Sequence, residues 1–378
     1  MKLKPKELSA QERINWIRLA RTQDVGPATF FRLLEVFDEN INKTIEQTPD
    51  FSKAGGAKKF LTICEKNLVE KELENCQKYG AKILTFLDET YPRMLREIYD
   101  PAPILTVKGE EKLLNKDVIA IIGPRNASFH ACKFAEKMAN DLSCREIIII
   151  SGLAKGIDAA AHRGSLEMGT IAVIAGGINH VYPAENKFLF DEIAKKGVII
   201  SEQPFGAAPR GSNFIQRNRI ISGISYGVVV VEAGMQSGSL ATARFALDQG
   251  REVFAVPGFP ADPRTHGSNL LIEEGAIFTL GSEKVLKEMC RLRSIFGEVG
   301  MFKEPETVPF KTITSKFPSD DDIKKIREEI DKRIGFLPLS IEEIITQTGA
   351  SARLVNIALV QLELADKISI DFGKVVKK

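Results

Sequence analysis

A series of short, uninterrupted apolar runs constrains the fold of this chain more than any other feature. They are Val118–Ile122, Ile147–Ile150, Ile171–Ala175, Val198–Ser201, Val228–Glu232, Val253–Val256 and Ala276–Leu280. Stretches of helical periodicity separate them. A strand without polar alternation is buried on both faces, and the intervening helices supply the two covers. The pattern predicts an α/β fold with a Rossmann-like, doubly wound parallel sheet.

The remaining sequence falls to either side of this block. Residues 1–108 are mainly helical in pattern, with Trp16, Leu19, Leu33, Leu34 and Phe37 spaced around a turn at Val25-Gly26-Pro27. A SAM-like or helix-hairpin domain is expected there. It ends in a strand over Ala81–Phe86, before the breaks at Tyr91-Pro92 and Pro101-Ala102-Pro103. Residues 109–290 make the Rossmann-like domain. Residues 291–335 read as a linker, because Gly297 to Asp322 carries Pro, Lys, Thr and Ser without a period. In residues 336–378, helical patterns at Leu339–Gln347 and Ala352–Leu364 precede a hairpin pattern at Lys367–Val376, the order of a winged helix.

Composition excludes several classes. No apolar run approaches the ~20 residues that span a bilayer, so no membrane association is expected. The charged start, MKLKPKELSAQERINW, lacks the apolar core of a secretory signal, and a cytoplasmic protein is expected. Cys64, Cys76, Cys132, Cys144 and Cys290 are scattered and never form CxxC, which argues for reduced thiols rather than a disulfide frame or zinc site. The four histidines are dispersed without HExxH, and no metal is expected. A net charge of +2 is nearly neutral, so a polyanion would have to be held by a local patch.

That patch is visible between Glu202 and Glu232, where there is no acidic residue and no Lys, only Arg210, Arg217 and Arg219. Phe214 offers a ring for base stacking, and the arginines offer phosphate contacts. Arg217 and Arg219 lie about 200° apart on a helix, so both cannot point the same way. One of them, or Asn218 with Arg219, is free to serve the fold instead. Ser237-Gly238-Ser239 opens the next helix, either as an anion nest or as a plain serine N-cap. Glu232 is the best single candidate for a catalytic carboxylate. Its alternative role is to order neighbouring backbone or arginine side chains.

The other strand ends carry similar turns. Gly123 and Arg125 follow the first strand, without the GxGxxG dinucleotide fingerprint. Ser151, Gly152, Lys155 and Gly156 follow the second. There, small residues allow close approach and a helix starting near Ile157 aims its dipole at an anion. GxxxxGK[ST] is not satisfied. Asp158 and His162, at i and i+4, form either an acid–base pair or a local structural contact. After the third strand, Tyr182-Pro183 makes a rigid turn, with Asn186 and Lys187 at a helix start and an isolated His180.

As an ordered set these segments resemble the bacterial DNA-processing protein A family, DprA or Smf. The set is GPR at 123–125, SGLAKGIDAAAH at 151–162, TIAVIAGG…YP…N at 170–186, SEQPFG at 201–206, RNRIISG at 217–223, VVVEAGMQSGSLATA at 229–243 and REVFAVPG at 251–258, continued by Gly267 to Ala276. The resemblance implies a homodimeric, non-enzymatic protein without a cofactor that binds single-stranded DNA. It would help load the RecA recombinase onto incoming or SSB-coated strands, as in natural transformation. Carried over by motif, the family's GxR arginine falls on Arg125 and its basic–aromatic element on Arg210 and Phe214. Its RNR falls on Arg217, Asn218 and Arg219, and its glycine-rich turns on Gly152 and Lys155-Gly156. Two positions depart from the family pattern. Pro124 replaces the serine of GSR and removes a backbone donor, and Ile215 stands where a proline is usual.

Two enzymes compete with this reading. The Val228–Leu240 segment is similar to the glycine loop of nucleotide-cleaving phosphoribohydrolases of the lysine-decarboxylase-like group. Thr242 and Ala243 stand where those enzymes place a Glu. A NAD-type dehydrogenase lacks its fingerprint here. A third view makes the winged helix the main DNA reader, through Arg353, Asn356 and Gln361. Leu354, Val355, Ile357 and Leu359 make that helix mostly core, so a secondary contact with DNA or protein is expected.

Overall fold

The structure, a computed structural model, describes residues 3–54, 61–298, 318–335, 337–371 and 373–378. The chain divides into two compact units: Lys71–Phe302 with the short Lys4–Glu7 segment, and Leu8–Glu70 together with Lys303–Lys378.

The N-terminal helices are α1 (Ala10–Ala20), α2 (Pro27–Val36), α3 (Ile41–Ala54) and α4 (Lys66–Lys78). Ser9 and Glu12 form a capping box at the start of α1, and Pro27 occupies the first turn of α2, where its missing N–H costs nothing. Trp16, Ile17, Leu19, Phe30, Leu33 and Leu34 are fully buried and make this module's core.

Next come β1 (Lys82–Thr85), the single-turn α5 (Arg93–Arg96) and β2 (Ile104–Gly109). The α/β series follows as β3 (Val118–Ile122), α6 (Phe129–Ser143), β4 (Ile148–Ser151), α7 (Ile157–Ser165), β5 (Thr170–Val173), α8 (Lys187–Lys196) and β6 (Val198–Ser201). It continues with α9 (Gly211–Ile224), β7 (Gly227–Val230), α10 (Gly238–Asp248), β8 (Glu252–Ala255), α11 (His266–Glu273), β9 (Ile277–Phe278) and α12 (Ser282–Glu298). The strands form one sheet in the order β1-β2-β6-β5-β4-β3-β7-β8-β9. The segment from β6 to β9 is parallel throughout, while β2 pairs antiparallel with both β1 and β6. The expected doubly wound sheet is therefore present. The chain enters at β3, winds outward through β4 and β5 to β6, and then returns past β3 to β7. The reversal leaves a crevice at the carboxyl ends of β3 and β7, where such sheets bind ligands. Every residue of β3, β4 and β7 is buried, and Ile119, Ile121, Ile149 and Val229 pack against Ala135, Met138, Leu142 and Ala161 of α6 and α7.

The C-terminal part contains α13 (Asp320–Arg333), β10 (Leu339–Ser340), α14 (Ile341–Thr348), α15 (Ala352–Leu364), β11 (Ile368–Asp371) and β12 (Lys374–Lys377). Its three strands pair antiparallel in the order β10-β12-β11, giving the expected winged helix. Ser340 and Glu343 form a capping box on α14, and Gly349 closes that helix in the left-handed conformation.

Two sequence expectations change. Strands β1 and β2, grouped above with the N-terminal helices of residues 1–108, extend the central sheet. β2 was hidden because Pro101 and Pro103 precede it, and proline is tolerated at the start of a strand. The expected linker at 291–335 is helical at both described ends, while residues 299–317 lie outside the described residues. Helix α12 runs on to Glu298, with Val285, Met289 and Leu292 in the core beside α6. In α13, Ser319 caps the Asp322 amide, three aspartates fill the first turn, and Ile323 and Ile330 are buried. Its many charged residues mask that apolar spacing. No described helix is long and apolar enough to cross a membrane.

Candidate functional site

A cavity of about 680 Å³ opens at the switch point. The loop after β3 supplies Gly123, Arg125 and Asn126; α9 supplies Phe214, Arg217 and Asn218; the loop into α10 supplies Ser237, Gly238 and Ser239. A smaller cavity of about 40 Å³ beside it is lined by Arg125, Gly152, Lys155, Tyr182, Pro183 and Phe214.

Arg125 and Phe214 belong to both cavities. The Arg125 guanidinium carbon lies 4.9 Å from the centre of the Phe214 ring and 6.0 Å from that of Tyr182. The two rings meet edge to face at 5.4 Å. Arg125 is exposed, and among the described residues no carboxylate pairs with it. A charge lying on two aromatic rings is attractive through the ring quadrupoles, yet keeps its hydrogen-bond donors available. The sequence reading named Arg125 and Phe214 but gave Tyr182 only a turn role. Its signal was limited to an aromatic residue beside proline at a strand-end loop.

The two arginines of RNR point apart, as the helical wheel requires, and both are buried. Arg217 Nη1 donates to the carbonyls of Gly152, at 2.6 Å, and Val173. Its guanidinium stays close to the cavity wall. Burial lowers its pKa to about 10, with Asp158 opposing and Arg125 adding repulsion, so it remains a cation at neutral pH. Arg219 faces the other way, donating to the Asp100 carbonyl at 2.7 Å and to Glu202 at 2.5 Å. It lines neither cavity and serves the fold. Asn218 lies between them on the cavity wall, its amide 3.5 Å from the Gly238 carbonyl.

Two glycines act differently from expectation. A Cβ on Gly152 would overlap the Arg217 guanidinium, so this glycine makes room for an internal arginine rather than for a ligand. Gly156 has φ +76°, and a Cβ there would overlap the Pro124 carbonyl. The backbone of the preceding loop, not a ligand, occupies that space.

The candidate acid–base groups are likewise structural. Asp158 Oδ2 accepts from the amides of Gly152 (3.2 Å) and Ala154 (3.3 Å). Burial pushes its pKa up, while Arg217 and those amides pull it down. His162 is not its partner. Thr170 Oγ1 donates to the Ile149 carbonyl at 2.7 Å, so it accepts from His162 Nδ1 at 2.9 Å. Burial, with Arg217 and Arg163 nearby, lowers the His162 pKa to about 3, and the ring is neutral. Glu232 Oε2 accepts from the Ser128 amide at 2.9 Å, while Ser128 caps α6. Glu232 thus orders the β3–α6 loop.

The remaining predicted residues divide. Ser151 donates its hydroxyl to the Ile121 carbonyl at 2.7 Å inside the sheet. Lys155 is exposed and pairs with Glu185, and Lys187 pairs with Asp191 at 2.6 Å. Asn186 donates to the Leu153 carbonyl at 2.9 Å and braces the β4–α7 loop. Arg210 is exposed, at the N-terminal end of α9. The Ser237 hydroxyl caps the Ser239 amide at 3.4 Å, so the N-cap role applies, while the cluster still lines the cavity. Arg264, missed in the sequence, also lines it, held bidentate by Asp262. Among the described residues no His, Cys, Asp and Glu cluster could hold a metal ion.

Fold and site together define the class: a doubly wound α/β protein whose switch-point crevice offers cations and aromatic faces. Residues 82–290 match the DNA recombination-mediator protein A family, residues 10–75 its DprA-like N-terminal HHH domain, and residues 316–373 its DprA winged helix domain. The chain belongs to the DNA recombination-mediator protein A family. It is 42% identical over 213 residues to the DNA processing protein DprA of Bacillus subtilis, covering 56% of this chain and 72% of that protein. The crystal structure of DprA from Streptococcus pneumoniae is similar with a TM-score of 0.62 at 32% identity, covering 75% of this chain and 99% of that one. DNA processing protein A from Helicobacter pylori, whose structure was solved for its unique single-stranded DNA binding mode, gives a TM-score of 0.52 at 28% identity. That match covers 56% of this chain and 96% of the other.

Proposed function

We propose that this chain binds single-stranded DNA along the carboxyl edge of its central sheet and acts there as a recombination mediator. The observation that carries the reading is Arg125 laid on the Phe214 and Tyr182 rings with no carboxylate partner among the described residues. Single strands offer what this cluster takes: phosphates for the guanidinium and unpaired bases for the rings. Gly123, Asn218, Ser237, Gly238 and Ser239 would continue the track along the larger cavity, with Arg217 as a fixed positive charge in its wall. Gly152 and Lys155 would border its smaller end, and Arg210 would add charge beyond. Ser151, Gly156 and Asn186 support these loops from behind, whereas Lys187 pairs within α8 and Arg219 bonds the Asp100 carbonyl and Glu202. Family membership supports the same reading, as does the single-stranded DNA binding of the Helicobacter pylori relative.

The activity that follows is assistance to RecA in coating strands, including SSB-covered ones, in the cytoplasm and as a homodimer during natural transformation. No chemical step is required of it. The carboxylates singled out as catalytic candidates, Asp158 and Glu232, are both committed to backbone amides, and Thr242 and Ala243 stand where a phosphoribohydrolase places its Glu.

Fluorescence anisotropy with labelled single- and double-stranded oligonucleotides across a salt series, on wild type and Arg125→Ala, tests the site. Preferential single-strand binding that the substitution weakens supports it, and an indifferent variant removes it. RecA strand exchange on SSB-coated DNA, with and without the protein, tests the mediator role. Release of free base from nucleoside monophosphates would overturn the non-enzymatic reading.

A further inference from the structure

In a helix-turn-helix the second helix enters the major groove, and in the winged-helix part of this chain that helix is α15. One side of α15 carries Val355, Ala358, Leu359 and Leu362, which join Ile330, Ile344, Ile368 and Val375 in the winged-helix core. The opposite side carries Arg353, Ile357, Val360 and Gln361. A groove-reading helix leaves that side to solvent, but Ile357 and Val360 are each 1% exposed and Gln361 is 3% exposed.

Helices α2 and α3 cover it, within the same compact unit. The seam is joined by polar pairs along its length. Glu363 of α15 meets Arg32 of α2 at 2.5 Å, with both side chains less than one-fifth exposed. Arg353 Nη2 lies 2.8 Å from Asp38, just beyond α2. Arg327 of α13 donates to Gln361 Oε1 at 3.0 Å and to the Ala54 carbonyl at the end of α3.

We infer that the outer face of α15 is a protein-docking face whose partner is the N-terminal helical module of this chain, not a DNA-reading face. Ile357 and Val360 give it an apolar centre. That centre offers nothing to base edges beyond methyl contacts, but it suits a helix–helix seam. The one cation at the end of α15 that would enter a groove, Arg353, is paired with Asp38. The winged helix thereby holds α2 and α3 against α15.

The test uses the full-length chain. Ile357→Asp puts a charge into the seam without touching the winged-helix core, and Glu363→Arg reverses one pair, which Arg32→Glu should restore. Amide hydrogen exchange is followed in α1–α3 and in α13–α14. The expected result is exchange in α2 and α3 at least tenfold faster in Ile357→Asp and Glu363→Arg, with α13–α14 still protected. Protection should return in the Arg32→Glu/Glu363→Arg double variant. Unchanged protection of α2 and α3, or no recovery in the double variant, overturns the docking assignment. Double-stranded oligonucleotide binding is measured in parallel. Affinity within about threefold of wild type for both single variants is expected, and a gain of tenfold or more would make α15 a masked DNA reader instead.

Discussion

The guanidinium of Arg125 lies over the Phe214 ring at 4.9 Å, joining the β3 loop to the first turn of α9. Both the charge and the ring face the crevice, so replacing either should weaken single-strand binding by different routes. Arg125→Ala is expected to lower affinity about tenfold and to reduce the salt slope by about 0.7, the value of one lost phosphate contact on a single strand. Arg125→Lys should keep the slope but still bind more weakly, because an ammonium cannot stack as a planar fork does. Anisotropy at four or more salt concentrations reads both quantities.

Phe214→Ala and Tyr182→Ala remove stacking but no charge. Each is expected to cost about 1–3 kcal/mol in single-strand binding while leaving the salt slope unchanged. Their rings touch, so the double variant should cost less than the sum of the two. Strict additivity would show that the rings do not share a base.

Arg219→Ala separates fold from binding. It strips Glu202 and Asp100 of their buried cation. The expected loss is about 2–3 kcal/mol of unfolding free energy, since the charge-assisted bonds of a buried guanidinium to Glu202 and the Asp100 carbonyl are lost. The folded fraction should bind single strands as wild type does. Urea unfolding followed by anisotropy below the transition checks both halves.

Much of the architecture was legible in the sequence because the buried strands are continuous runs of Ile and Val, whose meaning depends little on context. Val118–Ile122 and Val198–Ser201 match their strands end to end. β2 and α13 were hidden for opposite reasons, one behind two prolines and the other beneath its own charges. In the site, the residue types pointed to the carboxyl edge of the sheet, where the cavity opens, but not to each side chain's place in it. Arg217 and Arg219 look alike in sequence, yet the helical turn between them sends one to the Gly152 carbonyl and the other to Glu202. The pairing of Lys187 with Asp191 was readable from its i,i+4 spacing, whereas that of Lys155 with Glu185 depends on two loops meeting. The glycines gave no sign of which atoms fill the space of their missing Cβ, and for Gly152 it is an arginine of the same chain.

Gly152→Ala therefore tests packing rather than ligand clearance. The added methyl displaces Arg217, which then loses its bonds to the Gly152 and Val173 carbonyls. A cost of about 2–3 kcal/mol is expected, from overpacking together with unsatisfied carbonyls. In an Arg217→Ala background the same change should cost less than about 1 kcal/mol, because the obstacle is gone. Equal costs in both backgrounds would assign Gly152 some other role. Urea midpoints of the four proteins complete the cycle.

Acid should expose the buried histidine. His162 is held neutral in the folded protein with its pKa lowered to about 3, whereas in the unfolded chain it titrates near its ordinary value of 6.5. Between those limits the unfolded state binds a proton that the native state refuses. Stability from this group is thus fully present above pH 6.5 and falls by about 1.4 kcal/mol for each unit below it. Asp158 acts in the opposite sense, because burial raises its pKa and the folded state takes its proton first, and a substitution at His162 leaves it in place. His162→Gln keeps a donor for Thr170 and removes the titration. Between pH 7 and pH 5 its unfolding free energy should fall by about 2 kcal/mol less than that of wild type. Urea denaturation at those two pH values measures the difference, and parallel losses in the two proteins would show that His162 is not the group responsible.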